Sequence, residues 1–323
     1  MASANLTSTL TPELQTFYDK VFFERLQAET AYDFLTTKKS IPKNSGKVVY
    51  LTRQTAFTPS TGALTEGVTP AISAFTAATI SATIAQYGAY STFSELFEMT
   101  TIDTGLKEKV DTFGQFAAEK MDKDRLYTMV AGATTQYANQ KASLSTTLTT
   151  DTLDVADLRY AVLTLKNNKA PKFSAPVGSL NKGGAYRGVI SSKGYYDLLG
   201  DSSTGAFTSI NLAVSSSETG QIKDQAIKRI AGIDLIESNA AYSEVSAGAG
   251  AAAEVAYSNL ITGKDAVLEV DIAGGGNPHI IYKKPGAGDT SEPLNLNSSL
   301  AWKVDSWACV VADANWIINI KAQ

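Results

Sequence analysis

Few residues in this sequence have side chains that could carry out chemistry. His279 is the only histidine and Cys309 the only cysteine, so a Ser-His-Asp or Cys-His nucleophilic site would have to use one of them. A zinc site of the common histidine and cysteine kind lacks ligands for the same reason. The sequence therefore predicts a protein that is not an enzyme and that holds no cofactor and no metal. A hydrolase built around His279 is the alternative.

Three short patterns resemble functional sites only in part. Asp122 and Asp124 form a D-x-D pattern, but on a predicted helix these two acids point to different faces, which favours a solvated or salt-bridged surface over a metal pair. The segments 181–184 and 274–277 lack the full frame of a phosphate loop and are predicted to be ordinary loops. Cys309 lies in a strand-like apolar run, so we expect it to be buried as a small hydrophobic residue.

The composition is that of a globular protein with sparse charges. The chain has 323 residues, of which 44% are hydrophobic and 19% charged, and its net charge is −4, so no global basic field attracts it to nucleic acid. One segment departs from this balance, because no acid lies between Asp33 and Glu66. Five basic residues fall there: Lys38, Lys39, Lys43, Lys47 and Arg53. We expect either a solvated basic stretch or an arm that lies on an acidic neighbour or near DNA.

No part of the sequence is typical of a membrane protein or a secreted protein. The first fifteen residues lack the basic and apolar regions of a signal peptide, and no run of about 18 apolar residues is present. A single cysteine cannot form a disulfide within the chain, which fits synthesis in a reducing cytoplasm.

The N-terminal region predicts a helix with a large apolar stripe. Thr11, Pro12 and Glu13 are typical of an N-cap, a first-turn proline and a first-turn acid. The stripe that follows at helical spacing consists of Leu14, Phe17, Tyr18, Val21, Phe22 and Leu26. The helix is expected to run to about Phe34 and to pack either on its own domain or on an adjacent subunit.

The next region predicts two strands joined by a long turn-rich segment. Residues 48–53, VVYLTR, form the first strand, and residues 79–85 alternate between apolar and hydroxyl side chains, as expected of a strand with one wet face. Residues 36–46 are predicted to be an extended linker before the first strand. Because a single hairpin is marginally stable in water, this protruding loop should lie on another surface.

The remaining sequence predicts a long helix, a second domain and closing strands. Leu106 to Val130 carry one apolar stripe, which predicts a spine helix over 103–132, and a polar segment up to residue 150 marks a boundary. Helix and strand signals then alternate up to about Lys283, as in an inserted domain. The last part returns to strands and contains Trp302, Trp307 and Trp316, which are expected to anchor a core or an interface.

Four motifs in a fixed order carry a resemblance to a known family. They are GKVVYLTR at 46–53, LTEGVTP at 64–70, QYGAYSTFSE at 86–95 and SEPLNLNSSLAWK at 291–303. In their order and spacing, the chain resembles the major capsid proteins of N4-like tailed phages. The matching motif residues are Arg53, Glu66, Gly67, Tyr87, Gly88, Glu292, Pro293, Leu294, Trp302 and Lys303.

The resemblance implies an α+β protein with the HK97-like capsid fold. On that template, residues 1–46 resemble an N-terminal arm, and 47–100 resemble an extended β-hairpin loop with its approach to the peripheral domain. Residues 101–150 resemble the peripheral domain with its spine helix, 151–285 the axial domain, and 286–323 C-terminal strands that return to the peripheral domain.

The resemblance also implies a function and a set of partners. Copies of the chain would form hexamers and pentamers of an icosahedral shell around double-stranded DNA, in a virion assembled in the host cytoplasm. Portal, scaffolding and decoration proteins would be its partners besides itself, with non-specific proximity to DNA and no membrane contact. Another virion component, such as a tail or decoration protein, is the second alternative, and it should lack a long helix between two β segments.

The motif residues, together with the arm stripe, are assigned to folding and subunit contact. Arg53 and Glu66 are each expected to find an opposite charge. Some HK97-like shells join a loop lysine to a neighbour's asparagine, but no lysine lies between Gln54 and Leu106 here. The sequence therefore predicts a noncovalent shell.

Overall fold

In the described residues, the fold has a five-stranded sheet, a seven-stranded sheet and a separate two-stranded hairpin, and one long helix packs against both larger sheets. The computed structural model describes residues 19–26, 30–54, 63, 76–94, 96, 105–148, 150–173, 184–200, 228–247, 253–283 and 296–323. Its helices are α1 at 19–26, α2 (Gly105–Gly132), α3 (Val155–Asn167) and α4 (Ser192–Gly200). Among the described helices, none is long and apolar enough to cross a membrane.

Fourteen strands lie in the described parts of the chain. They are β1 (Thr37–Ile41), β2 (Val48–Gln54), β3 (Ala77–Thr83), β4 (Ala85–Ser94), β5 (Thr134–Tyr137), β6 (Tyr186–Ser191), β7 (Lys228–Ile230), β8 (Ile233–Ser238), β9 (Ser243–Ala247), β10 (Ala253–Thr262), β11 (Val267–Ile272), β12 (His279–Lys283), β13 (Asn297–Val311) and β14 (Ile317–Ala322). The hairpin β2–β3 is antiparallel throughout, as the sequence predicts.

The first sheet is organised around β13. Strand β4 pairs antiparallel with its first part, with an irregularity in register between Val304 and Trp307. Strands β12 and β11 pair antiparallel with successive parts of β13, and β1 adds to β11 in parallel. This sheet buries Leu300, Trp302 and Val304 against α2 because alternate residues of β13 face the helix, and Trp307 joins the same core after the irregularity in register.

The second sheet has seven strands in the order β5-β14-β10-β6-β8-β7, with β9 on β10. Helices α3 and α4 cover one of its faces, where Leu158, Leu165 and Ile190 are buried. The Asp154 carboxylate caps α3 by accepting the Asp157 N–H at 2.8 Å. An N-cap acid of this kind satisfies one of the donors that the first helical turn leaves free.

The long helix α2 confirms the predicted spine and contributes to two cores. Val110, Ala117 and Met121 pack toward β13, whereas Leu126 and Met129 pack toward the second sheet. Helix α2 thus holds the two sheets on one scaffold.

Three regions of the structure differ from the sequence expectations. The expected linker 36–46 contains β1, which pairs with β11. Strand β14 was expected with the other C-terminal strands, but it lies in the second sheet and not beside β13. Strands β11 and β12 fall in the range 151–285 that was expected to form the axial domain, but they pair with β13. Within the helix expected to reach Phe34, Tyr32–Leu35 form a 3₁₀ turn. Pairing between distant strands depends on long-range hydrogen bonds, which local patterns do not specify.

Candidate functional site

The arm helix α1 packs on the spine helix of its own chain. Phe22 is completely buried, in a core with Val110 and Ala117 of α2 and Trp302 and Trp307 of β13. Val21 and Leu26 pack partly buried against the same core. For these three residues, the structure therefore supports the alternative in which the stripe packs on its own domain and not on an adjacent subunit. Leu14 and Phe17 lie outside the described residues.

Gly114 explains how α1 comes so close to α2. A Cβ atom at this position would lie 3.0 Å from the Phe22 carbonyl oxygen and 3.3 Å from Arg25 Cβ. A side chain there would push the two helices apart, and glycine avoids this at a cost of about 1 kcal/mol in helix propensity relative to alanine. The residue that weakens the isolated helix therefore improves its contact with the arm.

A charge cluster, consisting of the buried Asp122, Arg125 and Glu269 and the partly exposed Asp33, joins the arm, the spine helix and β11. The Arg125 Nε donates to Glu269 Oε1, and its Nη2 lies 3.4 Å from Glu269 Oε2 and 3.4 Å from Asp33 Oδ1. Its Nη1 lies 3.5 Å from Asp122 Oδ1. One guanidinium thus contacts carboxylates from three parts of the chain, which suits its planar set of donors.

Asp122 also fixes the start of the 3₁₀ turn in the arm. Its carboxylate accepts the Ala31 N–H at 2.9 Å and the Tyr32 N–H at 3.1 Å. These donors belong to the first residues of the turn, where backbone N–H groups lack helical partners. The Asp122 side chain therefore acts as a cap supplied from the spine helix, about 90 residues away in sequence.

The pKa values of the buried members of the charge cluster are shifted by burial and by one another's charges. Burial raises the pKa of Asp122, and the Ala31 N–H and the Arg125 charge partly offset this effect. Burial by itself lowers the pKa of Arg125, but the charges of Glu269, Asp33 and Asp122 outweigh it and raise the pKa. The cluster thus keeps its arginine charged and strongly paired.

The end of β2 is attached through Arg53 to the segment between β13 and β14. Its Nη2 lies 2.5 Å from Asp313 Oδ2, and its guanidinium carbon lies 4.4 Å from the centre of the Trp316 ring. Asp313 is buried and accepts the Asn315 N–H at 3.1 Å. The expected opposite charge for Arg53 is therefore confirmed, and a cation–π contact adds to it. Glu66 lies outside the described residues.

The motif that begins at Gln86 lies on β4, against β13. The Tyr87 ring packs edge-on to Trp307 with centroids 5.6 Å apart, and Gly88 lies opposite Lys303. A Cβ atom on Gly88 would lie 2.7 Å from the Trp302 carbonyl oxygen, which accounts for glycine at this position. Gly67 and Glu292 lie outside the described residues.

Strands β2 and β4 also present aromatic rings to solvent. The exposed fractions are 70% for Tyr50 on β2 and 76% for Tyr90 on β4. Rings of this kind bury a large apolar area when a partner covers them. They are candidate contact residues that the motifs contained but that sequence reasoning did not single out.

The structure corrects one prediction and adds residues that sequence reasoning missed. Asp122 was expected on a solvated or salt-bridged surface, and its side chain is buried, because it faces the arm. Asp124 does form an exposed pair with Lys120 at 2.7 Å, as expected. Arg125 and Glu269 were not identified. Only Glu269 had a signal in the sequence, as a charge within the apolar strand 267–272, whereas Arg125 follows three charged residues.

The surroundings of His279 and Cys309, the two residues considered for catalysis, do not suit a nucleophilic site. The His279 Nδ1 lies 3.9 Å from Asp305 Oδ2, beside the paired Lys303. Burial raises the pKa of the Cys309 thiol to about 12, which disfavours the thiolate that a nucleophile needs. In the part of the chain that the structure describes, no group of three histidine, cysteine or acidic side chains could hold a metal ion.

The fold is that of phage capsid proteins. The capsid protein of Ralstonia phage GP4 is 14% identical, with a TM-score of 0.66 over 99% of this chain and 95% of that chain. The capsid protein of cyanophage P-SCSP1u is 17% identical, with a TM-score of 0.61 over 91% and 88%. The head protein of Helicobacter pylori bacteriophage KHP40 is 13% identical, with a TM-score of 0.65 over 91% and 92%.

These likenesses concern three-dimensional structure. No protein-family profile matches the sequence, and no curated protein matches it. The chain has the HK97-like fold of the phage capsid proteins, and this confirms the predicted fold class.

Proposed function

We propose that this chain is a major capsid protein, whose copies form the hexamers and pentamers of an icosahedral shell around double-stranded DNA. The observation that supports this function is the extent of the structural match, which covers nearly the whole of this chain and of the Ralstonia phage capsid protein. A match over so much of both chains favours the same role for the chain as a whole. We further propose that the protein is not an enzyme and belongs to the virion, after assembly in the host cytoplasm.

The parts of the fold suggest a division of labour within the shell. The first sheet with α2 serves as the peripheral domain, and the second sheet with α3 and α4 as the axial domain. The hairpin β2–β3 belongs to the extended loop, and residues 1–46 to the arm. The four sequence motifs support a place among the N4-like phages. Portal, scaffolding and decoration proteins are the proposed partners besides the chain itself.

The alternatives have less support. A tail or decoration protein was expected to lack a long helix between two β segments, whereas α2 lies between β4 and β5. A hydrolase would need a nucleophile near His279, and the protein's one thiol is strongly disfavoured as a thiolate.

Assembly of the purified protein tests the proposal. Closed symmetric particles or rings are expected by negative-stain microscopy, with matching light scattering. A protein that stays monomeric at high concentration, across several salts and with crowding agents, would contradict the capsid role. The particles should also dissociate completely when boiled in denaturant and run as one band near 34 kDa. A ladder that survives reducing agent would contradict the noncovalent shell.

A further inference from the structure

Two carboxyl groups, those of Asp154 and Asp157, meet at the start of helix α3. Asp157 is only 5% exposed, and its Oδ1 accepts the Asn139 N–H at 3.0 Å. Its Oδ2 is also buried, but it accepts no hydrogen bond within the part of the chain that the structure describes. The Asp154 carboxyl lies within hydrogen-bonding reach of the Asp157 carboxyl, and it also accepts the Asp157 backbone N–H at 2.8 Å.

This carboxyl pair, Asp154 and Asp157, needs a positive partner. Two carboxylates in contact inside a protein repel each other, and burial deprives them of the water that would stabilise both charges. A proton between them removes the repulsion and turns the unpaired Oδ2 of Asp157 into a hydroxyl that donates to Asp154. Burial, together with the Asp154 charge, raises the pKa of Asp157 to about 7, which agrees with a retained proton.

Other positive partners are missing from the described residues around the pair. No lysine or arginine among them forms an ion pair with Asp154 or Asp157. Lys141 lies 3.8 Å from Asp151. Strand β14 packs in the same core as α3, and its one charged side chain, Lys321, pairs with Glu244. No group of three histidine, cysteine or acidic side chains in the described ranges could hold a metal ion.

The carboxyl pair supports the connecting segment, residues 138–148, which follows β5. Asn139 and Gln140 both have φ angles of 54°, and residues other than glycine keep this left-handed conformation only where their surroundings fix it. Asp157 accepts the Asn139 backbone N–H, and Asp151 accepts the Asn139 side-chain amide at 2.7 Å. Asp151 also accepts the Leu148 N–H at 2.8 Å. Both ends of the connecting segment are therefore held by acids at the start of α3.

We infer that Asp154 and Asp157 share one proton, and that this proton locks the connecting segment onto the start of α3. Loss of the proton leaves two adjacent negative charges, and their repulsion is relieved when the segment opens and water reaches the pair. In the open state, both acids titrate near their ordinary pKa of about 4, below the pKa of Asp157 in the closed state. Opening therefore becomes easier as pH rises from about 4 to about 7, by about tenfold per pH unit, and levels off above that. The inference does not depend on the proposed capsid function.

Hydrogen–deuterium exchange of the full chain measures this opening, at a concentration where light scattering shows no assembly. Peptides that contain the Asn139 and Asp157 amides are followed by mass spectrometry at about pH 5 and about pH 7, with correction for the intrinsic exchange rate. Their protection should fall by about 100-fold between the two pH values. The amides of the connecting segment should also exchange before those of β13, because the segment opens without unfolding the first sheet.

Three variants separate the shared proton from other effects of pH. Asp157→Asn imitates the protonated acid, because its amide can accept the Asn139 N–H and donate to Asp154, so it should keep at pH 7 the protection that the wild type has at pH 5. Asp154→Asn removes the neighbouring charge and keeps an N-cap acceptor, so it should also lose the pH dependence. Asp305→Asn removes a carboxylate that is 46% exposed on β13, and it should behave like the wild type.

Infrared difference spectra at about pH 5 detect the proton itself, because an ordinary aspartate is ionised there. Wild type minus Asp157→Asn should show a carboxylic acid band that wild type minus Asp305→Asn lacks. The inference is overturned if this band is missing, if the segment is equally protected at both pH values, or if it exchanges only together with β13. Asp157→Asn that loses protection with pH as the wild type does would also overturn it. Restoration of wild-type protection at pH 7 by calcium chloride would assign a cation to the carboxyl pair in place of the proton.

Discussion

Arg125 offers the sharpest test of how the arm is held. Replacing it with methionine keeps most of the side-chain volume and removes the charge that Glu269, Asp122 and Asp33 share. The side chains of Arg125, Asp122 and Glu269 are only 5%, 5% and 6% exposed, so the variant leaves carboxylates buried without their cation. Loss of one partner from a buried pair costs about 3–5 kcal/mol, and we expect a loss of unfolding free energy of this size.

Urea unfolding at neutral pH measures the loss, followed by tryptophan fluorescence at a protein concentration where light scattering shows no assembly. The Trp307 ring lies 5.6 Å from the guanidinium carbon, so the signal reports on this region. Lys123→Met on the same helix is the control, because its pair with Glu119 is exposed; an exposed pair contributes about 0–1 kcal/mol.

A double variant distinguishes the effect of charge pairing from that of packing. Arg125→Met with Glu269→Met removes both members of the closest buried pair, and the remaining buried carboxylate, Asp122, keeps its two backbone N–H donors from Ala31 and Tyr32. Stability should return to within about 1–2 kcal/mol of the wild type, since apolar pairs often replace buried ion pairs without loss. If Arg125→Met costs no more than Lys123→Met, the cluster does not hold the arm.

The remaining predictions concern packing and pH. Phe22→Ala should lower the unfolding free energy by about 3–5 kcal/mol. Removal of residues 1–34 should impair folding itself. If the melting curves of both variants match the wild type, the arm contributes only to contacts between subunits. Gly88→Val should destabilise by about 1–3 kcal/mol, because its side chain meets a β13 carbonyl, as a melting curve would show. Burial, with the nearby Asp154 charge, raises the pKa of Asp157 to about 7. The folded protein thus keeps a proton that the unfolded chain releases near pH 4, so stability should fall as pH rises from about 4 to about 7. Asp157→Asn should reduce this decline in denaturation series, and the part that remains is expected from Asp122, whose pKa burial also raises.

The elements that sequence reasoning located share strong local signals. The period-two alternation over 79–85 predicted β3, and the apolar stripe predicted the spine helix, which the structure places at Gly105–Gly132. The period of the hydrophobic pattern and the length of the patterned segment depend only on neighbouring residues, so both can be read from the sequence. The fold class came instead from the family resemblance that the order of the four motifs carries.

The sequence by itself determined the long helix and the hairpin β2–β3, and that few residues could do chemistry. Only the tertiary structure decided that β14 joins the second sheet, that Phe22 packs within its own chain, and that Asp122 is buried. An acid on a helix looks the same in sequence whether its face meets water or an arm about 90 residues away. Burial and strand pairing are relations between distant segments, and their free energy exists only once the chain has brought those segments together.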